Sequence, residues 1–326
     1  MNGVGLVLGS AIGPEHIATS ARNAERVGFS ELWLAEDFFF TGGIGGAAVA
    51  LATTDQIRVG LGVVSAVVRH PALLAMEIAT LARAFPDRLI PGIGLGVPGW
   101  MAQMGLLPSS PLAAVRDCVG SVRRLLDGDT VTEHGKIFRF DQVGLAYPQL
   151  ERIPLHMGVI GPKMLQLSGA VADGSILSVG AGVEYVRWAQ ERIEEGRVKA
   201  GRSGEHRLTV FAIYSVSDDR TRAVRAARET LAFYKAAGGP NSLTEVAGIT
   251  EDLRDMLSRG RAEVVAAEMP EHWVDDLTIA GTPAEVVDKI RRLRNAGADS
   301  VALFPTPGDQ AAEIIDLTSK AVLPQL

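Results

Sequence analysis

Two adjacent carboxylates, Glu36 and Asp37, follow a short apolar segment and precede three consecutive phenylalanines. A carboxylate beside apolar side chains is a candidate for proton transfer as a general acid or base. Capping of a helix or a solvent-facing loop pair is the alternative interpretation. The spacing alone leaves both interpretations open.

A glycine-rich segment, residues 94–99, follows another apolar segment and matches G-x-G-x-x-G. A dinucleotide-binding turn is disfavoured because Pro98 interrupts the motif and no helix is predicted directly after it. An acidic residue is also missing from the end of a second strand about twenty residues further on. Gly94 and Gly96 then allow either the close approach of a flat ring or plain packing.

Residues 158–163 and 178–182 each lie at the end of a predicted strand and supply small residues there. The first segment opens a helix, so its backbone N–H groups and Lys163 could receive a phosphate. Pro162 at a first helical turn is also common without any ligand. The repetition in the next unit favours an anion shared between two adjacent loops.

The six histidines are scattered, and no His or Cys spacing typical of a zinc site occurs. We therefore expect no metal. His70 lies between Arg69 and Pro71 just beyond a predicted strand. A position at the rim of a site and a packing or capping role both remain open for it.

Short β-branched or apolar segments alternate with amphipathic helical segments along the chain, which is typical of a parallel sheet built from βα units. Eight strands are predicted, at residues 4–9, 31–36, 57–65, 88–96, 153–159, 174–179, 207–216 and 299–304. Helices are predicted between them, for example at 14–27, 71–85, 162–172 and 282–295. Eight units favour closure into a (β/α)8 TIM barrel, since doubly wound open sheets usually have fewer strands.

Two segments fall outside the repeat and are predicted as insertions in the βα connections. Residues 128–149 alternate as in a hairpin, and residues 238–279 have the pattern of extra helices. Such connections leave the carboxyl ends of the strands, where barrel enzymes place the loops that shape the substrate site. We expect one domain over residues 1–326, because barrels reach this length.

The composition indicates a soluble globular protein whose partners are small molecules or other copies of itself. Hydrophobic residues make up 47% and charged residues 21% of the chain, and the net charge of −6 is dispersed. A basic run that would suit nucleic acid or an anionic membrane is missing, as is an apolar run long enough to span a bilayer. The single Cys118 and the lack of a leader segment favour the cytoplasm.

Five motifs in register resemble the luciferase-like monooxygenase superfamily. They are Leu32-Trp-Leu-Ala-Glu-Asp-Phe38, Gly60-Leu-Gly-Val-Val-Ser65, Arg69-His-Pro71, Gly92-Ile-Gly-Leu-Gly96, and Gly161-Pro-Lys163 through Ala172-Asp-Gly174. With the Ala296-Gly-Ala-Asp299 approach to the last strand they cover nearly the whole chain. Residues 35–38 and 161–163 are similar to the branch that uses coenzyme F420, which includes methylenetetrahydromethanopterin reductase. Members that use FMN more often have His where Asp37 stands.

The resemblance implies a barrel with the tricyclic ring of the cofactor in its mouth, backed by a bulge in the third strand that often contains a non-prolyl cis peptide. Asp37 would stand near the reacting carbon, with Glu36 as the other candidate for proton transfer. The residues implied around the ring, ribityl chain and phosphate are Val63, Val64, Ser65, Gly94, Gly96, Gly158, Gly161, Pro162, Lys163, Ser178, Val179 and Gly180. Many relatives are homodimers, and the apolar segments 43–54 and 71–85 could form that interface.

Two departures from the family pattern concern the substrate. Relatives that oxidise sugar phosphates carry His directly after the Asp, where this chain has Phe38. The acidic residue of the pterin reductase after the fourth-strand glycines is replaced by Val97. Both substrates are therefore placed in doubt.

The function expected from this resemblance is hydride transfer between C5 of the deazaflavin F420 and an organic substrate, with a proton handled by Asp37 or Glu36. Two alternatives remain open. An FMN-dependent monooxygenase would bind FMN tightly and consume oxygen, and a non-catalytic flavin-binding protein would bind cofactor without turnover.

Overall fold

The computed structural model describes residues 3–326, which form an α/β fold. The strands are β1 (Gly3–Leu8), β2 (Glu31–Leu34), β3 (Arg58–Leu61), β4 (Val64–Ser65), β5 (Leu89–Ile90), β6 (Gly92–Gly94), β7 (Val131–His134), β8 (Arg139–Val143), β9 (His156–Val159), β10 (Gly174–Leu177), β11 (Arg207–Val216), β12 (Ile279–Gly281) and β13 (Ser300–Pro305). All eight predicted strand segments therefore contain β structure.

Helices alternate with these strands, as predicted. They are α1 (Ile17–Val27), α2 (Gly43–Ala52), α3 (Pro71–Ala84), α4 (Pro98–Gln103), α5 (Pro111–Leu126), α6 (Pro162–Val171), α7 (Val183–Lys199), α8 (Arg220–Gly238), α9 (Ser242–Val246), α10 (Thr250–Arg259), α11 (Ala262–Glu268), α12 (Glu271–Leu277), α13 (Pro283–Asn295) and α14 (Ala311–Ala321). Short 3-10 turns lie at Pro14–His16, Gly308–Gln310 and Leu323–Gln325. None of the helices within residues 3–326 combines the length and the apolar character of a membrane span.

Ten strands follow one another in a curled parallel sheet, in the order β4-β6-β9-β10-β11-β13-β1-β2-β3-β5, and β12 pairs with β11. Every strand pair in this sheet is parallel, as expected where helices connect successive strands. The architecture resembles that of a TIM barrel. The carboxyl ends of the parallel strands converge on one face, called here the mouth.

The third and fourth predicted strands are each broken in two, which is a correction to the continuous segments 57–65 and 88–96. Strands β3 and β4 are separated by Gly62 and Val63, and the peptide bond between these two residues is cis. Strands β5 and β6 are separated by Pro91, which has no backbone N–H for the ladder. The broken strands still run side by side, since β3 pairs with β5 and β4 with β6.

The interior of the curled sheet holds a buried apolar cluster to which six of its strands contribute one side chain each. These side chains are Val7, Trp33, Ile90, Ile176, Phe211 and Ala302. The rings of Trp33 and Phe211 meet edge to face at 5.4 Å. At the end of the sheet opposite the mouth, the fully buried Glu31 accepts hydrogen bonds from Arg58 (2.7 Å) and Arg207 (2.5 Å). The two arginines therefore compensate its buried negative charge.

The two irregular segments form units of their own. Residues 131–143 hold the antiparallel pair β7–β8, as the alternation predicted. The helices predicted over 238–279 are α9–α12, and helix α8 before them belongs to the same unit. Leu231 of α8 shares a buried apolar cluster with Leu253, Val265 and Trp273 from this segment. The helical unit therefore begins directly after β11.

Candidate active site at the mouth of the sheet

Asp37 lies at the mouth, three residues beyond the end of β2. The hydroxyl of Ser10, which follows β1, donates a hydrogen bond of 2.6 Å to Asp37 Oδ2. Parallel pairing of β1 with β2 brings these two loops together. Asp37 is partly exposed and has no ion-pair partner within residues 3–326, so its carboxylate can reach a ligand.

Glu36 has a different environment from its neighbour. Arg69 donates two hydrogen bonds to it, at 2.7 and 2.8 Å, and the backbone N–H of Gly43 donates a third at 2.9 Å. Only 5% of the Glu36 side chain is exposed. This carboxylate therefore joins β2, the segment before α3 and the start of α2, and its oxygens are engaged by protein groups.

The side chain of Val63 rests on glycines of the neighbouring strands. A Cβ added to Gly94 would lie 2.5 Å from Val63 Cγ2, and one added to Gly158 would lie 2.9 Å from Val63 Cγ1. These glycines are therefore required by the bulge between β3 and β4. Plain packing thus explains Gly94 and Gly158 directly, while the half-buried Val63 forms a ledge in the mouth.

Ser65 and Gly96 lie close together in the mouth. The buried Ser65 hydroxyl donates a hydrogen bond of 2.7 Å to the carbonyl of Leu95. Gly96 has φ +96°, and a Cβ there would lie 3.2 Å from Ser65 Oγ and 3.4 Å from the Phe38 ring. Glycine is therefore required at position 96 both by the positive φ and by the close contacts. Val64, next to Ser65, is fully buried.

The amino end of α6 provides free donors at the end of β9. Gly161 is its N-cap residue, Pro162 begins the helix, and no side chain caps it. A Cβ on Gly161 would meet nothing within 4 Å, and Lys163 is exposed without a hydrogen-bond or ion-pair partner in residues 3–326. This arrangement can receive an anion.

The end of β10 carries Ser178, Val179 and Gly180, of which Gly180 has φ +81°. A Cβ on Gly180 would lie 2.9 Å from Lys235 Nζ. Lys235 is on α8, and sequence reasoning missed it. A lysine within an amphipathic helical pattern is ordinarily a surface residue, so no pattern in the sequence identified it.

Two aromatic residues that were not among the predicted site residues, Tyr234 and Phe304, also reach the mouth. Tyr234 of α8 packs edge to face on Phe304 of β13, with ring centroids 6.2 Å apart. Burial and the nearby Asp37 carboxylate raise the pKa of Tyr234 to about 12. The phenol therefore keeps its proton at neutral pH and presents a hydroxyl on the same side as Asp37.

Two of the three phenylalanines after Asp37, Phe38 and Phe40, pack against Trp100 of α4. Phe38 is buried at 6.2 Å from the Trp100 ring, whereas Phe39 and Phe40 are exposed. The peptide bond between Phe38 and Phe39 is cis. Helix α4 itself corrects the expectation that no helix follows the glycine motif, because Pro98 is suited to a first helical turn and begins it.

His70 has the capping and packing role. Its Nδ1 accepts a hydrogen bond of 3.2 Å from the backbone N–H of Ala72, and its ring packs on Phe138 and Phe140 of the hairpin. It thereby joins α3 to β7–β8. No cluster of three or more potential metal ligands occurs within residues 3–326.

Comparison with known proteins identifies the family. The model of the family described as luciferase-like monooxygenase matches residues 2–300. The chain belongs to this family. The resemblance drawn from five short motifs is therefore confirmed over nearly the whole length.

Similar proteins match over most of the chain. The 5,10-methylenetetrahydromethanopterin reductase of Archaeoglobus fulgidus is 31% identical over 312 residues, which are 93% of each chain. An F420-dependent glucose-6-phosphate dehydrogenase of Nakamurella multipartita is 26% identical over 96% of this chain and 93% of that one. The solved F420-dependent tetrahydromethanopterin reductase of Methanopyrus kandleri superposes with a TM-score of 0.86 at 28% identity, over 99% and 98% of the two chains.

Proposed function

We propose that this protein is an oxidoreductase that transfers a hydride between C5 of coenzyme F420 and an organic substrate bound in the mouth. The observation that carries the proposal is the position of Asp37, a carboxylate free of ion pairs within residues 3–326 that faces the mouth and is held by Ser10. The relatives whose names include F420 match over nearly their whole length, which supports the same cofactor here.

The residues of the mouth fit such a cofactor. Its flat ring would lie on the ledge made by Val63, and the loop with Gly161 and Lys163 leaves room and free donors for a phosphate. The residues assigned to the cofactor are Val63, Val64, Ser65, Gly94, Gly96, Gly158, Gly161, Pro162, Lys163, Ser178, Val179 and Gly180. Among these, the buried Val64 and Ser65 act by holding the bulge, and so do Gly94 and Gly158, on which Val63 packs.

The bound deazaflavin would supply the hydride chemistry, and the protein would supply orientation, a dry site and a proton path. Asp37 Oδ1 is the group assigned to give or take the proton, because Ser10 occupies Oδ2. Glu36 is assigned a positioning role, since Arg69 fixes it. The aromatic side chains of Phe39, Phe40 and Trp100 would cover a ligand and exclude water.

The finer architecture that we propose is one (β/α)8 barrel domain with two insertions. Counting β3 with β4 as one strand, and β5 with β6 as another, gives eight strands. Because β6 pairs with β9, the strand formed by β5 and β6 joins the two ends of the sheet order and would close the barrel. Strand β12 then counts as part of the insertion that leaves β11.

We further propose a cytoplasmic homodimer. Helices α2 and α3 carry the exposed apolar side chains Val49, Leu73 and Met76, which a second copy would cover. Cys118 is buried and free, and burial raises the pKa of its thiol to about 12, which suits a protein that forms no disulfide.

Titration of the purified protein with oxidised F420 and, separately, with FMN tests the cofactor. Binding would be followed by quenching of the four tryptophans, of which Trp100 lies at the mouth. We expect micromolar or tighter binding of F420 and weak binding of FMN. The reverse preference, with oxygen consumption, would establish a flavin-linked oxygenase instead and remove the role assigned to Asp37.

A further inference from the structure

Lys235 is a buried lysine without a protein partner. The residue is 4% exposed, although it lies on α8 in the helical unit above the mouth. Its side chain makes no hydrogen bond or ion pair with any group of residues 3–326. The amine lies over the backbone of Gly180, because a Cβ added there would be 2.9 Å from Nζ.

An ammonium group in such a place is destabilising unless something compensates it. Burial lowers the pKa of Lys235 to about 8, and no neighbouring carboxylate offsets that effect. The amine is therefore still mostly protonated at neutral pH. A protein that keeps this charge against its cost to stability gains something from it, and the gain that fits is a ligand of opposite charge.

The position of Lys235 relates it to the proposed reaction. Its neighbour Tyr234 faces Phe304 and Asp37 across the mouth. A hydrogen bond between the hydroxyls of Thr230 and Thr306 fastens the same helix to the loop after β13. The ammonium group of Lys235 is thus held beside the end of β10. Lys235 directly follows Tyr234, whose side chain faces Asp37, in helix α8.

We propose that Lys235 binds an anionic group, a carboxylate or a phosphate, of the organic substrate, and so orients its reacting carbon toward Asp37. The proposal rests on the proposed function and names its substrate class. Lys235 would form a charge-assisted hydrogen bond to the anion, and Gly180 leaves the room that the amine needs at the end of β10. Asp37, as a carboxylate, would repel the same group and favour one orientation of the substrate.

A cofactor phosphate is the other source of such an anion. The free donors at Gly161 and the exposed Lys163 lie at the end of β9, the strand next to β10, and they already offer a phosphate site. The substrate is therefore the source that we assign to Lys235, and the two sources respond differently in the test below.

The experiment is calorimetric titration of the full-length protein, without and with F420, against benzoate, its neutral amide benzamide, and inorganic phosphate. We expect the wild type to bind benzoate measurably and benzamide at least tenfold more weakly than benzoate. Binding of inorganic phosphate is read only with F420 present, because Gly161 and Lys163 also offer a phosphate site. Lys235→Met and Lys235→Gln are expected to lose this preference. Lys199→Met, which removes an exposed lysine of α7, is the charge-matched control and should retain it.

Each remaining outcome has a defined meaning. A preference for anions that survives in Lys235→Met, or a wild type without such a preference, would overturn the proposal. A loss of F420 affinity in Lys235→Met, with benzoate binding unchanged, would assign the amine to the cofactor instead. Failure of the wild type to bind F420 would reject the proposed function alone, since the benzoate titration without F420 is read independently.

Discussion

Arg69 holds Glu36 through two hydrogen bonds of 2.7 and 2.8 Å, and this pairing distinguishes the two adjacent carboxylates of the mouth. Glu36 is engaged and nearly buried, whereas Asp37 accepts a single hydrogen bond from a hydroxyl group. The sequence presented them as equivalent candidates. Their difference arises from an arginine 33 positions away, which spacing alone could not reveal.

Replacement of Arg69 by Met should destabilise the protein by about 3 kcal/mol, because it leaves the carboxylate of Glu36 buried without its counter-charge. Urea unfolding at pH 7 measures this free energy. Glu77→Gln is the matched control, since it removes only the peripheral 3.5 Å ion pair of Arg69 and should cost less than about 1 kcal/mol. Equal effects of the two substitutions would contradict the structural role of the Arg69–Glu36 pair.

Asp37→Asn keeps the shape of the side chain and removes its capacity to take a proton. If Asp37 is the acid or base, kcat should fall by roughly a hundredfold or more, while the affinity for F420 changes less than about threefold. Steady-state kinetics and fluorescence titration measure the two quantities. Ser10→Ala, which removes the orienting hydrogen bond, should give a smaller loss; unchanged turnover in Asp37→Asn would reject the role.

Gly94→Ala tests the ledge formed by Val63. The added methyl group would lie 2.5 Å from Val63 Cγ2, so Val63 must move and both stability and F420 affinity should fall, the former by about 1–3 kcal/mol. Adding Val63→Ala removes the clashing atoms and should recover part of the stability, but not the affinity. Gly161→Ala is the comparison, because its methyl group meets no protein atom and only the poorer N-cap preference of Ala should lower stability, by less than about 1 kcal/mol.

The sequence predicted the strands well, because buried parallel strands leave continuous apolar segments bounded by helices. It also placed Ser178, Gly180 and Gly161 at strand ends. It could not show that Gly94 and Gly158 both pack on Val63, since that contact joins three strands through a break in one of them. The position of a residue along a strand indicates which face of the sheet it occupies. The residues that it packs against on that face depend on the register between the strands.

The helical unit was harder to delimit from the sequence. Helix α8 has the ordinary amphipathic pattern of a helix on the outside of a barrel, and its membership in the unit depends on contacts with residues such as Val265 and Trp273. Tyr234 and Lys235 were missed for the same reason. Nothing in a helical period distinguishes a lysine that faces solvent from one that faces a cleft under a neighbouring unit.

Two histidines at the end of the sheet opposite the mouth, the buried His156 and the half-buried His206, predict that stability falls steeply in acid. Burial lowers the pKa of His156 to about 3 and that of His206 to about 4. Both imidazoles are therefore neutral in the folded protein and protonated in the unfolded chain below about pH 6.5, so stability falls as the pH decreases from there toward 4.

His156→Asn removes one of these groups and should reduce the slope of unfolding free energy against pH by about 1.4 kcal/mol per pH unit between pH 6 and 4. Urea unfolding at several pH values measures the slope. His272→Asn, which removes an exposed imidazole, is the control. A slope in His156→Asn equal to that of the wild type would contradict the buried neutral state.

Lys235→Met should make the protein more stable at neutral pH, even though it is expected to impair substrate binding. The pKa of Lys235 is about 8 in the folded protein against the ordinary 10.5, so the folded state binds fewer protons between these values. The wild type therefore gains stability relative to the variant as the pH rises from 8 to 10.5. Below pH 8 the free energy of unfolding of the variant should exceed that of the wild type by about 3 kcal/mol. Unfolding of both proteins at pH 7 and pH 10 measures the difference, with Lys199→Met as control. A stability advantage of the variant that does not shrink at pH 10 would show that improved apolar packing of the Met side chain, rather than removal of the buried charge, causes it.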